Sequence, residues 1–337
     1  MNSCLTVIND THIGAIRSSG TTPVTQLKLR QHILSEFRRL MPNEGDLMIL
    51  GDLFDKENIP ISDILETYRI LKSWLTKGFN LYLVAGNHDL SKTSSTMSSF
   101  DFLGKLLLEQ APMQVTVIHT GTLTPYGYVI PHVANQDLFD LELTKVPECA
   151  CLFLHCNYDN KFAVQADQSL NITPEQARNA PVKHIIIAHE HHRRTVGRVI
   201  LPGNQIATSV SDWLSNNDKF YLQITESVVE HKVFKLKRDD FSDWALGSKT
   251  PLPLCNFTRV VGTVPASLAG ETASSIAKVR QQSISLVVSN AVDIQHEDHT
   301  ETFEAALAST ESFNVWESLK KILTEPQLKK LEQLNAG

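Results

Sequence analysis

Short apolar runs alternate with stretches of helical period along the first ninety residues. Residues 5–10 (LTVIND), 47–51 (LMILG) and 81–89 (LYLVAGNHD) each climb through buried-type side chains and stop on polar ones, the pattern of strands that end in tight loops. Between them, Leu27, Leu34 and Phe37 sit near helical spacing in 26–40. Ile64, Tyr68, Leu71 and Leu75 form one stripe of a helix that Ser62 is expected to cap and Gly78 to stop. Strand, helix, strand, helix, strand predicts an α/β layout with a parallel sheet, whose sites lie at the carboxyl ends of the strands.

The pattern then changes. Residues 102–108 read as helix, and 91–99 as a Ser/Thr-rich loop. Short β runs follow at 115–119, 126–132, 152–155, 184–189 and 195–201, with 174–179 as the one clear helical interlude, which predicts a second sheet packed on the first. Further strands are expected at 219–224 and 228–236. Residues 246–253 have linker composition (GSKTPLP). A βαβ unit is expected beyond it, with strands at 258–264 and 284–288 around a helix at 267–281, and then an amphipathic helical tail. The expected domains are 1–245, 255–300 and 301–337.

Composition narrows the class. Of 337 residues, 42% are hydrophobic and 20% charged, enough apolar material for a sizeable core. A net charge of -6 excludes a global basic field, although a local groove can still be basic. Five cysteines form no framework, and Cys149, Cys151 and Cys156 lie in or beside apolar runs, so they read as core thiols. The first residues lack a basic region and pass almost at once into a strand, and no run approaches a membrane span. The expectation is no signal peptide, no membrane and a cytoplasmic location.

The polar residues at the strand ends are of one chemical kind. Asp10 and His12, Asp52, Asn87, His155, and the pair His189 and His191 offer oxygens and imidazoles without thiolates, a donor set suited to manganese, iron or zinc. Residues two apart in extended backbone project to one side, so Asp10 with His12, and His189 with His191, each point two ligands one way. Seven ligands exceed one tetrahedral site but fit two metals, with Asp52 as the candidate bridge. Two cations about 3.5–4 Å apart hold phosphate oxygens and lower the pKa of water between them. His88, beside Asn87, is the candidate proton donor to a leaving oxygen, and Asp89 the candidate that orients it. Glu190 suggests a His-Glu-x-x-His zinc motif, but Arg193 stands where the second histidine is required.

In type and order, Asp10-x-His12, Gly51-Asp52-x-x-Asp55, Gly86-Asn87-His88-Asp89, His155 and His189-x-His191 resemble the calcineurin-like metallophosphoesterase superfamily. The resemblance implies a four-layer αββα sandwich of two mixed sheets with a small C-terminal α/β cap. It implies Asp10, His12, Asp52 and His191 around one metal, and Asp52, Asn87, His155 and His189 around the other, with His88 as the catalytic histidine. The segment 201–211 (LPGNQIATSVS) after Ala188-His189-Glu190-His191 looks like that of DNA-repair nucleases of the SbcD type. Two positions depart from the pattern: Asn9 replaces a small residue and Ala188 a glycine.

The resulting expectation is a DNA phosphodiesterase with two divalent ions, Mn2+ foremost: a 3′→5′ exonuclease with single-strand endonuclease activity. A phosphatase or a cyclic-nucleotide phosphodiesterase on the same core is the alternative. Arg17, His192, Arg193 and Arg194 are the candidate contacts to the phosphate backbone. His132, in a strand without motif support, reads as structural. Expected partners are DNA, an SMC-like ATPase of the SbcC type bound through the tail (Phe303, Leu307, Trp316, Leu319, Leu323), and a second copy of the chain.

Overall fold

A computed structural model describes residues 4–17, 22–91, 93, 96–160, 169–215, 219–225, 228–234 and 241–295. The expected helical tail lies outside the described residues. Contacts divide the chain into two units, residues 1–262 with 271–292, and residues 263–270 with 293 onward.

In chain order the elements are β1 (Cys4–Ile8), α1 (Pro23–Leu40), β2 (Asp46–Leu50), α2 (Ile61–Leu75), β3 (Leu81–Val84), α3 (Ser99–Gln110), β4 (Val115–Ile118), β5 (Thr122–Thr124), β6 (Gly127–Ile130) and α4 (Gln136–Leu143). Then come β7 (Cys149–His155), β8 (Asn157–Tyr158), β9 (Asn171–Ile172), α5 (Pro174–Asn179), β10 (Val182–Ala188), β11 (Arg194–Val196), β12 (Val199–Leu201) and α6 (Val210–Ser215). The last are β13 (Lys219–Thr225), β14 (Val228–Phe234), β15 (Phe241–Ala245), β16 (Phe257–Pro265), α7 (Ala269–Gln282) and β17 (Val287–Gln295).

Two mixed sheets result. The first runs β14-β13-β1-β2-β3-β4; β1 to β4 are parallel, and β13 and β14 add antiparallel strands at one edge. The second runs β11-β12-β10-β7-β6-β5, parallel in its centre with antiparallel β5 and β11 at its edges. Side chains two apart on a strand share a face, and this alternation builds three apolar layers. Ile8, Leu47, Ile49 and Leu83 meet Ile33, Phe37, Leu71 and Phe100 of the helices on one side. Leu5, Val7, Met48, Leu50 and Val84 point the other way, onto Val129, Phe153, Ile186 and Ile200 of the second sheet. The second sheet's outer face, with Ile130, Leu152, Leu154 and Ile187, is covered by Phe139 of α4 and Ala177 of α5. This is the αββα sandwich that the strand pattern and the resemblance lead one to expect.

Several local expectations are corrected. Helix α1 starts at Pro23, because Thr22 caps it in a reciprocal box with Thr25. The N-cap of α2 is Pro60, without a side-chain cap, and Ser62 lies inside the helix. Helix α4 was not expected; Asn135 caps it, its Oδ1 accepting from the Leu138 N–H at 2.9 Å. The run at 195–201 is two strands turning at Gly197, where φ is +59°. The final strand starts at Val287 rather than 284. A third small sheet, β15-β16-β17, takes its first strand from before the linker. Cys151 and Cys156 are buried free thiols. Among the described residues, no helix is long and apolar enough to cross a membrane.

Candidate metal centre

Five parallel strands, β1, β2 and β3 of one sheet and β7 and β10 of the other, bring their carboxyl ends to one place. The backbone there is unusual. Of five non-glycine residues with positive φ among the described residues, four are expected ligands, Asp10 (49°), His12 (45°), Asp52 (50°) and His189 (92°); the fifth is Asp159. Such conformations cost of order 1–3 kcal/mol each, and they persist where the surroundings fix them. Here the fixing bonds run between strand ends. The Asp10 N–H donates to Gly51 O and the His12 N–H to Asp52 O, both at 3.1 Å. The His189 N–H donates to Asp10 Oδ2 at 3.0 Å, across the two sheets. Two glycines leave the necessary room. A Cβ on Gly51 would stand 2.0 Å from His155 Nδ1, and one on Gly86 2.1 Å from Asp52 Oδ1.

The expected ligands converge. Asn87 Oδ1 lies 3.1 Å from His155 Nε2 and 3.0 Å from His189 Nδ1. Asp52 Oδ1 is 3.4 Å from His155 Nε2, and its Oδ2 is 4.0 Å from His12 Nε2. Ligand atoms of Asp10, His12 and His191 lie within 4.8 Å of one another, as do those of Asp52, His155 and His189, and those of His12, Asp52 and His88. Two details show that these residues fit a cation. The Nε2 atoms of His12 and His191 face each other at 3.1 Å, although each presents a lone pair unless protonated. Asp10 Oδ1 is buried without a hydrogen-bond partner, a costly arrangement for a carboxylate oxygen unless it meets positive charge.

The electrostatics follow from burial against close charge. Burial pushes His12 down to about 4, against the pull of Asp52, which keeps it neutral and able to ligate. Burial also acts to lower His155, but the Asp52 carboxylate, by its charge and hydrogen bond, raises it to about 9. In return, and against its own burial, Asp52 is held well below the usual carboxylate range by His155 and His12.

His88 stands at the open side of this cluster. Its side chain is 41% exposed, against 2% for Asp52, and its Nε2 lies 3.9 Å from Asp52 Oδ2. The expected orienting partner is corrected. Asp89 turns away from the His88 ring and accepts the N–H groups of Gly86 and Phe54, both at 3.0 Å, and of Leu53 at 3.3 Å. Burial and the nearby Asp52 raise it to about 7, those N–H groups opposing. The His88 ring is oriented by the Asp55 carbonyl, 2.5 Å from Nδ1. A carbonyl only accepts, so Nδ1 carries the proton there and Nε2 faces the cluster.

The expected phosphate contacts divide. Arg17 is held by Asp55 Oδ1 at 3.0 Å and by the Thr208 hydroxyl. Arg194 is not directed at the cluster: it is clamped on Glu190 at 2.8 Å and on the Tyr158 carbonyl at 2.6 Å. Arg193 lies over the Phe220 ring at 3.7 Å, and His192 is exposed. His132, read as structural, stands close enough to feel His155, Asp52, His189 and His88; burial and those histidines lower it to about 4. Asp212 and Lys219 were missed, since neither belongs to a motif. Asp212 Oδ1 lies 2.8 Å from His191 Nδ1, and the buried Lys219 ammonium donates to the Asp212 carbonyl at 2.7 Å. Asn9 has a partner that accounts for its size: its N–H donates to Gln205 Oε1 at 2.8 Å, and Gln205 Nε2 donates back to Asn9 Oδ1 at 3.1 Å.

Residues 5–193 match the family described as calcineurin-like phosphoesterase. The DNA double-strand break repair protein Mre11 of Methanosarcina mazei is 26% identical over 125 residues, 35% of this chain and 19% of that protein, so the chain matches about a fifth of its relative's length. A solved archaeal phosphodiesterase aligns over 68% of this chain and 99% of its own at 11% identity, with a TM-score of 0.32. The family match covers more than half of the chain and contains every expected ligand from Asp10 to His191, and by it this protein belongs to the calcineurin-like phosphoesterases.

Proposed function

We propose that this chain is a manganese-dependent DNA phosphodiesterase, a 3′→5′ exonuclease with single-strand endonuclease activity. The observation that carries the reading is the placement of His88, partly exposed at the rim of a largely buried cluster of oxygen and imidazole donors. Asp10, His12, Asp52 and His191 would hold one divalent ion, and Asp52, Asn87, His155 and His189 the other. Such a pair, when bound, supplies charge to a phosphoryl group and an activated water. The protein's own part is positional. The Asp55 carbonyl holds His88 with Nε2 toward the cluster, where it can keep a proton at the leaving oxygen. Similarity to Mre11, by name a DNA repair protein, supports DNA as the substrate. With it come the proposed partners, an SMC-like ATPase bound through residues 303–334 and a second copy of the chain. Residues 255–300 would serve as the cap.

One observation favours a smaller phosphoester. Arg17 and Arg194 are both engaged by the chain's own carboxylates, which leaves fewer cations to track a strand. A manganese-supplemented assay of end-labelled single- and double-stranded DNA beside nitrophenyl phosphate esters separates the readings. We expect DNA cleavage in the wild type. His88→Ala should lose it by roughly 10²-fold or more, the typical contribution of a positioned acid, with Mn2+ binding retained. Cleavage at the wild-type rate in His88→Ala would overturn that role, and ester hydrolysis without DNA cleavage would replace the substrate.

A further inference from the structure

His191 leaves β10 on a loop, and its side chain is 31% exposed, so packing alone does not fix its ring. What fixes it is Asp212. Its Oδ1 lies 2.8 Å from His191 Nδ1; an ionised carboxylate only accepts, so Nδ1 carries the hydrogen and Nε2 is left facing His12 and Asp10. The other oxygen, Oδ2, accepts the Thr208 N–H at 3.0 Å and the Thr208 hydroxyl at 2.9 Å. The Asp212 backbone is held as well. Its N–H donates to Ser209 Oγ at 3.1 Å, and its carbonyl accepts from Lys219, which also donates to Asn204 Oδ1 at 2.6 Å.

The next residue ties this arrangement to the small third sheet. Trp213 stacks on Phe241 (centroids 6.4 Å, planes 23° apart) and on Phe257 (5.9 Å, 18°). Those two phenylalanines are register partners at the start of β15 and β16. Asp212 and Trp213 are successive residues of the six-residue helix α6, so the stack that seats Trp213 also anchors the short backbone segment that carries Asp212.

We propose that Asp212 is a positioning residue that sets the tautomer and direction of the ligand His191, and that the stack of Trp213 on Phe241 and Phe257 holds Asp212 in register. The small sheet thereby reaches the metal centre through one aromatic contact and one carboxylate. The idea rests on the two-metal reading above. Partners of ligating histidines typically change metal affinity 10- to 100-fold when removed.

The test is titration calorimetry of the full chain with Mn2+, with circular dichroism of each metal-free variant as the folding control. The wild type should bind two ions. Asp212→Ala should weaken one site about 10- to 100-fold and leave the other unchanged. Asp212→Asn, closer in shape and still able to accept from Nδ1–H, should weaken the same site less, and it serves if the alanine variant fails to fold. Phe241→Ala should weaken that site in the wild type and add nothing in Asp212→Ala, because coupled residues are non-additive. Unchanged affinity at both sites in folded Asp212 variants overturns the positioning role. A Phe241→Ala effect that is absent, or equal in both backgrounds, overturns the mount. A wild type that binds no Mn2+ overturns the two-metal reading itself.

Discussion

Gly86 packs directly against Asp52, with no room for a side chain between them. A methyl group at residue 86 would lie 2.1 Å from Asp52 Oδ1 and 2.3 Å from its backbone nitrogen. That nitrogen belongs to a loop whose carbonyl already receives the His12 N–H. The contact cannot be relieved by a flexible side-chain tip. Gly86→Ala should therefore displace the Asp52 carboxylate, abolish the tight binding of two Mn2+ ions proposed above and destabilise the fold by about 1–3 kcal/mol, the usual range for overpacking. Urea denaturation and Mn2+ calorimetry check this; wild-type stability with both ions bound would show that the loop yields. The residues that converge at the candidate metal centre were legible from sequence because metal chemistry admits few residue types, and these recurred at strand ends. Their supporting partners were not. Asp89 reaches back 36 residues to Leu53, and Asp212 reaches His191 over 21. Nothing local at Asp212 distinguishes it from any aspartate in a helix turn, and nothing at Arg194 shows that Glu190 will engage it.

Among the elements, strands with strict alternation or a continuous buried run were readable, and so was α5, which Thr173 caps and Pro174 opens, but α4 and α6 were not. α4 and α6 have 8 and 6 residues, too short for their apolar positions to show a period; α6 is fixed by contacts made from β13. Lys219, the first residue of β13, is buried, and burial lowers it to about 8 despite the attraction of Asp212. An unfolded lysine titrates near 10.4. Between those values the folded chain has released the proton that the unfolded chain still holds, so stability rises with pH there. Below pH 8 both states hold it, and the buried ammonium contributes least favourably. In chelator-treated protein, the stability of the wild type relative to Lys219→Met should rise by up to about 1.4 kcal/mol per pH unit from 8 towards 10. Urea denaturation at pH 7, 8, 9 and 9.5 measures it. A difference independent of pH would mean that Lys219 keeps its proton throughout.

The two large sheets of the first unit have separate outer cores and are joined by one apolar layer and by the strand ends at the candidate metal centre. Asp10, Asp52 and Asn87 come from the first sheet, and His155, His189 and His191 from the second. Cations held by both sets would bind the assembled sandwich and not the unfolded chain, because the unfolded chain brings no such cluster together. Binding of that kind stabilises by RT ln(1 + [L]/Kd), about 2.7 kcal/mol at a hundredfold excess over Kd. For a chain of this size one kcal/mol is a few degrees of melting temperature. Mn2+ at a hundredfold excess should accordingly raise the melting temperature by several degrees over protein treated with chelator. Asp52→Asn, which weakens the link common to both proposed sites, should lose most of that rise while keeping its fold without metal. If excess Mn2+ left the wild-type transition where chelator leaves it, or if the Asp52 variant rose as far as the wild type, the strand ends would not be joined by cations, and their strained backbone would need another cause.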